Sequence, residues 1–169
     1  MEKLTNFLKV IFSKQFWRQV KQLFADFMGA NILAEKKIHH TNTSIEIAPT
    51  AKIAYPENVS IGHNSGIGSH VHIYAGQEST VTIGENTLIG PFAFMTSDSF
   101  SKSRFEMNKP HSGHQANIII GNNVRIGAHA IILPGVHIHD NVSVGAGAVV
   151  TRDIPEGKIV GGNPARILK

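Results

Sequence analysis

A chain of 169 residues holds one domain with a core of its own and little more than an appendage beside it. With no cysteine, disulfides, thiolate catalysis and Cys-ligated metals are excluded. The formal net charge of +4 is confined to residues 1–37, which carry seven Lys/Arg against three Asp/Glu, while the rest of the chain carries nine of each. A nucleic-acid surface would need basic residues clustered on the body as well, so nucleic acid is not an expected partner.

From Leu4 to Met28 apolar residues recur at helical spacing: Leu4, Phe7, Leu8, Ile11, Val20, Leu23, Phe24, Phe27 and Met28. Phe16 and Trp17 fill the middle and Gly29 is a natural stop. Lys3, Lys9, Lys14, Arg18 and Lys21 flank the stripe. Two readings follow. The segment caps the end of the fold or packs on a neighbouring subunit, or residues 3–28 form a basic amphipathic helix that touches a membrane surface. Lys9, Lys14 and Arg18 interrupt every apolar run, which argues against a secretory signal. No stretch approaches the roughly 20 apolar residues of a spanning helix. The expected location is cytoplasmic, peripheral at the inner membrane face under the second reading.

Five hexapeptides then dominate the chain. IGNNVR, IGAHAI, ILPGVH, IHDNVS and VGAGAV run without a break from Ile120 to Val149. Each opens on Ile or Val and places Val124, Ala130, Val136, Val142 or Ala148 at its fifth position. A period of six fits neither an amphipathic helix nor an alternating strand; it is the signature of a parallel β-helix, one short flat face per repeat. Ile47, Ile53, Ile61, Ile67, Ile73, Ile83, Ile89 and Met95 extend the series backwards. The register slips by two residues between Ile53 and Ile61 and by four between Ile73 and Ile83, slips that small corner insertions absorb. Such a prism has no deep internal pocket, so function must sit on its walls.

Ser97 to Asn117 breaks the pattern with a polar run, and the repeat resumes in register at Ile120. A long segment of this kind inside a compact domain is usually functional or disordered, and it reads as a loop extruded from the prism wall. The regular run ends at Val150, where the chain leaves the coil through Asp153-Ile154-Pro155-Glu156-Gly157. The domain plan is a helical segment at 1–37, an all-β body at 38–160 with the loop at 97–117, and a tail at 161–169.

Residues 118–169, ending TRDIPEGKIVGGNPARILK, resemble the C-terminal half of the hexapeptide-repeat acyltransferases, and among them the maltose, galactoside and polysaccharide O-acetyltransferase group. Residues 45–95 share the resemblance. It implies a left-handed parallel β-helix, a homotrimer, acetyl-CoA as donor, and active sites between adjacent subunits. Ala128 and Ala146, with Gly147 alongside, match the positions that line the pantetheine groove in similar enzymes. Small side chains there admit a thin ligand against the wall, although they also serve tight turns and subunit packing. Thr151 and Arg152 match the family's Thr-Lys/Arg pair near the nucleotide end of the donor. Arg152, and Arg166 in the tail motif Asn163-Pro164-Ala165-Arg166, are candidates to pair with phosphate; a solvated surface arginine is the alternative.

Acetyl transfer to a sugar hydroxyl requires removal of the hydroxyl proton, work suited to histidine. Members of the resembling family carry that His in a short Asp-His or Ser-His segment after the first repeat block. Here the segment reads Thr96-Ser97-Asp98-Ser99-Phe100-Ser101, so Ser97, Ser99 or Phe100 stands where the His is expected. Asp98 is the natural partner to orient an imidazole, and His111 and His114 in the same loop are the substitute bases. An amine acceptor, which depends less on a strong base, and a non-catalytic trimer are the alternatives. Arg125 replaces the family's Trp. Gly66, Gly68 and Gly76 replace the polar acceptor ligands of galactoside enzymes, which argues against a simple galactoside.

His63, His70, His72, His129, His137 and His139 invite comparison with zinc-binding γ-class carbonic anhydrases. They occupy different hexad positions and would not converge at zinc-ligand distance, so no metal is expected. The expected protein is a homotrimeric, cytoplasmic acetyl-CoA-dependent acetyltransferase. Its acceptor is the hydroxyl or amine of a surface-polysaccharide sugar or of its nucleotide- or lipid-linked precursor.

Overall fold

The computed structural model describes residues 13–27, 38–40, 44–99 and 114–169. Helix α1 (Lys14–Phe27) starts where the Ser13 hydroxyl accepts the Phe16 N–H at 3.1 Å, a side-chain cap for one of the free amides of the first turn. The part of the expected helix before Ser13, and Gly29 as its stop, lie outside the described residues.

The body is a prism of three parallel walls. The first wall stacks β1 (His39–His40), β4 (Val59–Ile61), β7 (Val81–Ile83), β10 (Ile118–Ile120) and β13 (His137–Ile138). The second stacks β2 (Glu46–Ile47), β5 (Gly66–Ile67), β8 (Leu88–Ile89), β11 (Arg125–Ile126), β14 (Ser143–Val144) and β16 (Ile159–Gly161), with β17 (Arg166–Ile167) antiparallel on the end. The third stacks β3 (Lys52–Ala54), β6 (His72–Tyr74), β9 (Phe94–Thr96), β12 (Ile131–Ile132) and β15 (Val149–Val150). This is the parallel β-helix that the hexads implied, with the left hand that the family resemblance implied.

Hexad position 1 supplies the core. Ile61, Ile73, Ile83, Met95, Ile120, Ile132 and Ile138 are each at most 2% exposed, and each stacks on its counterpart one coil away. Ile47 on the first complete coil is only half-buried. The fifth-position residues Val124, Ala130, Val136, Val142 and Ala148 fill the remaining corners of the core. The two register slips coincide with two corner insertions, a short turn of 3-10 helix at Pro56–Asn58 and the segment 75–80. The regular hexads stop at Val150 but coiling does not. Ile154 bridges to Ile138, β16 pairs with β14, and Ala165 N–H donates to Val149 O at 2.8 Å, so residues 154–165 make one more turn of the prism.

At Gly90, which follows Ile89 at position 1, the stacking itself requires glycine. A Cβ at Gly90 would stand 2.7 Å from Ile126 O and 2.8 Å from Ala128 N of the next coil. No such contact is sterically allowed, and backbone cannot step aside as a flexible side chain would. At the first-to-second-wall corner Asn64, Asn86, Asn123 and Asn141 all adopt positive φ, which asparagine tolerates better than most residues. Deleting core volume by Ile132→Ala is expected to cost about 2–5 kcal/mol. Gly90→Val is expected to cost at least as much, because it separates two coils. Urea unfolding of both variants measures this, and a Gly90→Val protein as stable as the parent would refute the close stacking.

Candidate active site

The loop root is built from polar residues that the prism buries. Ser97 is fully buried, and its hydroxyl accepts the Gly76 N–H at 2.8 Å and meets the Ser79 hydroxyl at 2.8 Å. Gln115 Oε1 accepts the Glu78 N–H at 2.8 Å, and Ala116 N–H donates to Ser97 O at 2.9 Å. An antiparallel bridge joins Asp98 to Gln115, and Ser99 N–H donates to His114 O at 3.1 Å. The two ends of the excursion are thus tied to each other and to the corner segment 75–80.

This network assigns work to several residues. Ser97, one of three that stand where the family carries a histidine, is structural. Gly76, read from sequence as a lost acceptor ligand, is a packing requirement, since a Cβ there would collide with the Gln115 and Ser79 side chains. Gly66 has a packing role too, with the Leu88 side chain lying 2.9 Å from where its Cβ would be.

Asp98 leaves the prism at the corner between the third and first walls. Its backbone N–H and O both engage the Thr96 hydroxyl, at 3.2 and 2.7 Å. Its carboxylate Oδ1 is buried with no hydrogen-bond partner among the described residues. Both tyrosines of the chain stand at the same corner, Tyr55 against Tyr74 edge to face with ring centroids 6.0 Å apart. Burial, then Tyr55, then the Asp98 charge push the Tyr74 phenol above its ordinary value, so it remains a protonated donor at physiological pH. Sequence reasoning missed this pair. The signal was the position of Tyr74 immediately after the inward Ile73, where a large polar side chain is turned outward beside the coil's corner. His114 is exposed at the loop's return; His111 lies outside the described residues.

The expected donor residues gather on a different corner, between the second and third walls. Gly147 N–H donates to Ala128 O at 2.8 Å, which sets Ala128–His129 and Ala146–Gly147 one above the other on successive coils. The amides of Ala128 and Ala146 make no hydrogen bond among the described residues. Gly162 continues the column, its carbonyl accepting from Val149 N–H at 3.0 Å, and Arg166 follows directly in β17. Thr151 and Arg152 are exposed at the far edge of the third wall, on the Asp98 side. Within one prism, then, Ala128, Ala146, Gly147 and Arg166 share one corner, while Asp98, His114, Thr151 and Arg152 lie across the third wall from them.

The remaining histidines are spread over walls and corners. His70 and His129 sandwich Phe92 in a ring stack with centroids 4.8 and 4.9 Å apart. His137 stacks on His139 at 3.8 Å, and His63 Nδ1 meets the Ser44 hydroxyl at 2.8 Å. Among the described residues no three His, Asp or Glu gather as a metal site. Arg125 lies on the second wall and donates to Asn86 O at 2.6 Å. An open depression of about 710 Å³ lies over the same wall, lined by Gly66, Leu88 and Arg125 among others. It runs along the wall to Gly127, which directly precedes Ala128 at the corner between the second and third walls.

The comparisons with known proteins agree with this architecture. Residues 117–152 match the family model described as bacterial transferase hexapeptide (six repeats). Nodulation protein L of Rhizobium meliloti is 41% identical over 133 residues, covering 72% of this chain and 68% of that protein. The galactoside O-acetyltransferase of Escherichia coli K12 is 37% identical over 123 residues, 73% of this chain but 59% of the relative's length. A crystal structure of a hexapeptide-repeat-containing acetyltransferase from Vibrio cholerae, complexed with acetyl coenzyme A, superposes with a TM-score of 0.75 at 25% identity, covering 94% of this chain and 90% of that one. Coils, corners and loop define a β-helical protein of the transferase type. The chain belongs to the hexapeptide-repeat acyltransferase family.

Replacing Ser97 by Ala would strand the buried Gly76 N–H. The expected loss is about 1–3 kcal/mol, with faster hydrogen exchange at Gly76 and Ala116 than elsewhere in the prism. Uniform exchange throughout would show that the root is not held by this hydroxyl.

Proposed function

We propose that the protein is an acetyltransferase that moves an acetyl group from acetyl-CoA to a hydroxyl or amine of a sugar in surface-polysaccharide biosynthesis. The observation that carries this reading is the pair of amides, Ala128 and Ala146, one coil apart on a single corner and without a hydrogen bond among the described residues. They suit the amide carbonyls of a pantetheine arm laid along the prism. Arg166, at the tail end of that column, suits the donor's phosphates, and Thr151 and Arg152 suit its nucleotide end.

The transfer is acyl substitution. The acceptor's oxygen or nitrogen attacks the thioester carbonyl, the acceptor's proton passes to a base, and the C–S bond breaks to release the CoA thiolate, which takes up the proton. His111 or His114 is the base, and Asp98 orients its ring. The third wall separates Asp98 from the donor corner within one prism, so the site is completed when a second prism packs its donor corner against this one's loop root. We therefore read the protein as a homotrimer with its sites between subunits, working in the cytoplasm. The acceptor is a sugar linked to a nucleotide or a lipid, and residues 3–28 are the membrane-facing element. The structural use of Ser97, where a base would be expected, favours an amine acceptor as the second reading.

Release of free thiol from acetyl-CoA over a panel of amino and hydroxy sugars tests the proposal. His111→Ala and His114→Ala are assayed separately. One of them is expected to lose roughly 10²–10⁴-fold in turnover, with Asp98→Asn shifting the pH profile of the same step. Full turnover in both histidine variants removes them as bases. No thiol release with any acceptor, together with no acetyl-CoA binding by calorimetry, removes the enzyme itself.

A further inference from the structure

Among the residues of α1 whose burial is described, 14–25, none belongs to the hydrophobic core of the prism. Trp17, Leu23 and Phe24 are 52%, 68% and 64% exposed, an apolar face too large to leave in water without a use. At roughly 100° per residue, Phe16, Trp17, Val20, Leu23 and Phe24 fall within an arc of about 120°. Lys14, Arg18 and Lys21 fall within a second arc of about 60° that borders the first on the Trp17 side. Large apolar side chains in one sector, with cations at its edge, are the pattern of a helix lying in the plane of a bilayer interface.

Charge decides between a membrane and a second copy of the chain as the occupant of that face. Residues 1–37 carry the whole net charge of the protein, and the body is balanced, with nine charges of each sign. Docking α1 on another copy's body, whose charges balance, would offer Lys14, Arg18 and Lys21 no net attraction, whereas anionic headgroups supply one along the whole helix. We propose that α1 docks in the plane of an anionic phospholipid surface, with Trp17, Val20, Leu23 and Phe24 in the acyl boundary and Lys14, Arg18 and Lys21 among the headgroup phosphates. The proposal rests on the membrane-facing reading of residues 3–28 and not on the acyl-transfer chemistry, so either can fail alone. The consequence is that the loop root and its acceptor site work beside a membrane, where a lipid-linked sugar is concentrated.

The chain contains a single tryptophan, so its fluorescence reports on α1 alone. Full-length protein is mixed with vesicles of phosphatidylcholine, with or without phosphatidylglycerol. The expected result is a blue shift of Trp17 emission, protection from a water-soluble quencher and co-flotation, all with the anionic vesicles and weakened by salt. The Lys14→Gln, Arg18→Gln, Lys21→Gln triple variant is expected to lose roughly 100-fold in affinity for anionic vesicles. Leu23→Asp with Phe24→Asp is expected to abolish flotation while acetyl-CoA-dependent thiol release and the light-scattering mass stay at parental values. Unshifted emission with both vesicle types overturns the proposal. So does flotation that survives Leu23→Asp with Phe24→Asp, or a fall in particle mass in that variant, which would make the face a subunit contact.

Discussion

Each coil of this prism must sit in register on the one before it, because every wall strand spends its amides and carbonyls on the coils above and below. Parallel strands approach to about 4.8 Å, and that rise recurs wherever like residues meet. It appears in the column of position-1 aliphatics, and in the His70–Phe92–His129 stack, with centroids 4.8 and 4.9 Å apart. It also brings the coils so close after position 1 that Gly90 has no room for a Cβ. Wall strands of two or three residues are too short to build up the twist that makes ordinary parallel crossovers right-handed. Left-handed coiling is therefore open to a chain that turns a corner every six residues.

The same constraint explains how a long polar segment can leave the wall without damage. Ser97, Gly76, Ser79 and Gln115 close the gap with hydrogen bonds, and Ile118 rejoins the first wall opposite Val81 as though nothing intervened. What emerges at that point is chemically distinct from the walls: a carboxylate oxygen buried without a partner among the described residues, and a pair of tyrosines. The column proposed for the donor stands on another corner. A prism cannot fold one corner onto another, so under the proposed chemistry the rigidity that makes the scaffold reliable also calls for a second copy.

The scaffold was legible because its rule is local. Ile61, Ile83 and Ile120 each had to point inward for a reason visible within six residues, and even the slips before Ile61 and Ile83 marked the corners where residues 55–58 and 75–80 bulge. The final turn through Ile154 and Ala165 was not legible, since it coils without a hexad. The site was less readable. Gly76 looked like a missing ligand because Gln115, which crowds it together with Ser79, lies across the loop. Tyr55 and Tyr74 are 19 residues apart and meet only because one coil stacks on the next. His111 and His114 were chosen by proximity in sequence to a vacant family position, and sequence carries no measure of where a loop side chain comes to rest.

The short strand β17 has a role beyond placing Arg166. A stack of parallel coils ends in a row of unpaired amides and carbonyls, which is the geometry on which cross-β fibres grow. By reversing direction against β16, the last residues present the wrong polarity to any incoming coil. Gly162 and Ala165 bond to the edge of β15 as part of the last coil. The terminus thus acts as a chain stopper, and a protein built on the repeat geometry of a fibril is kept from lengthening into one.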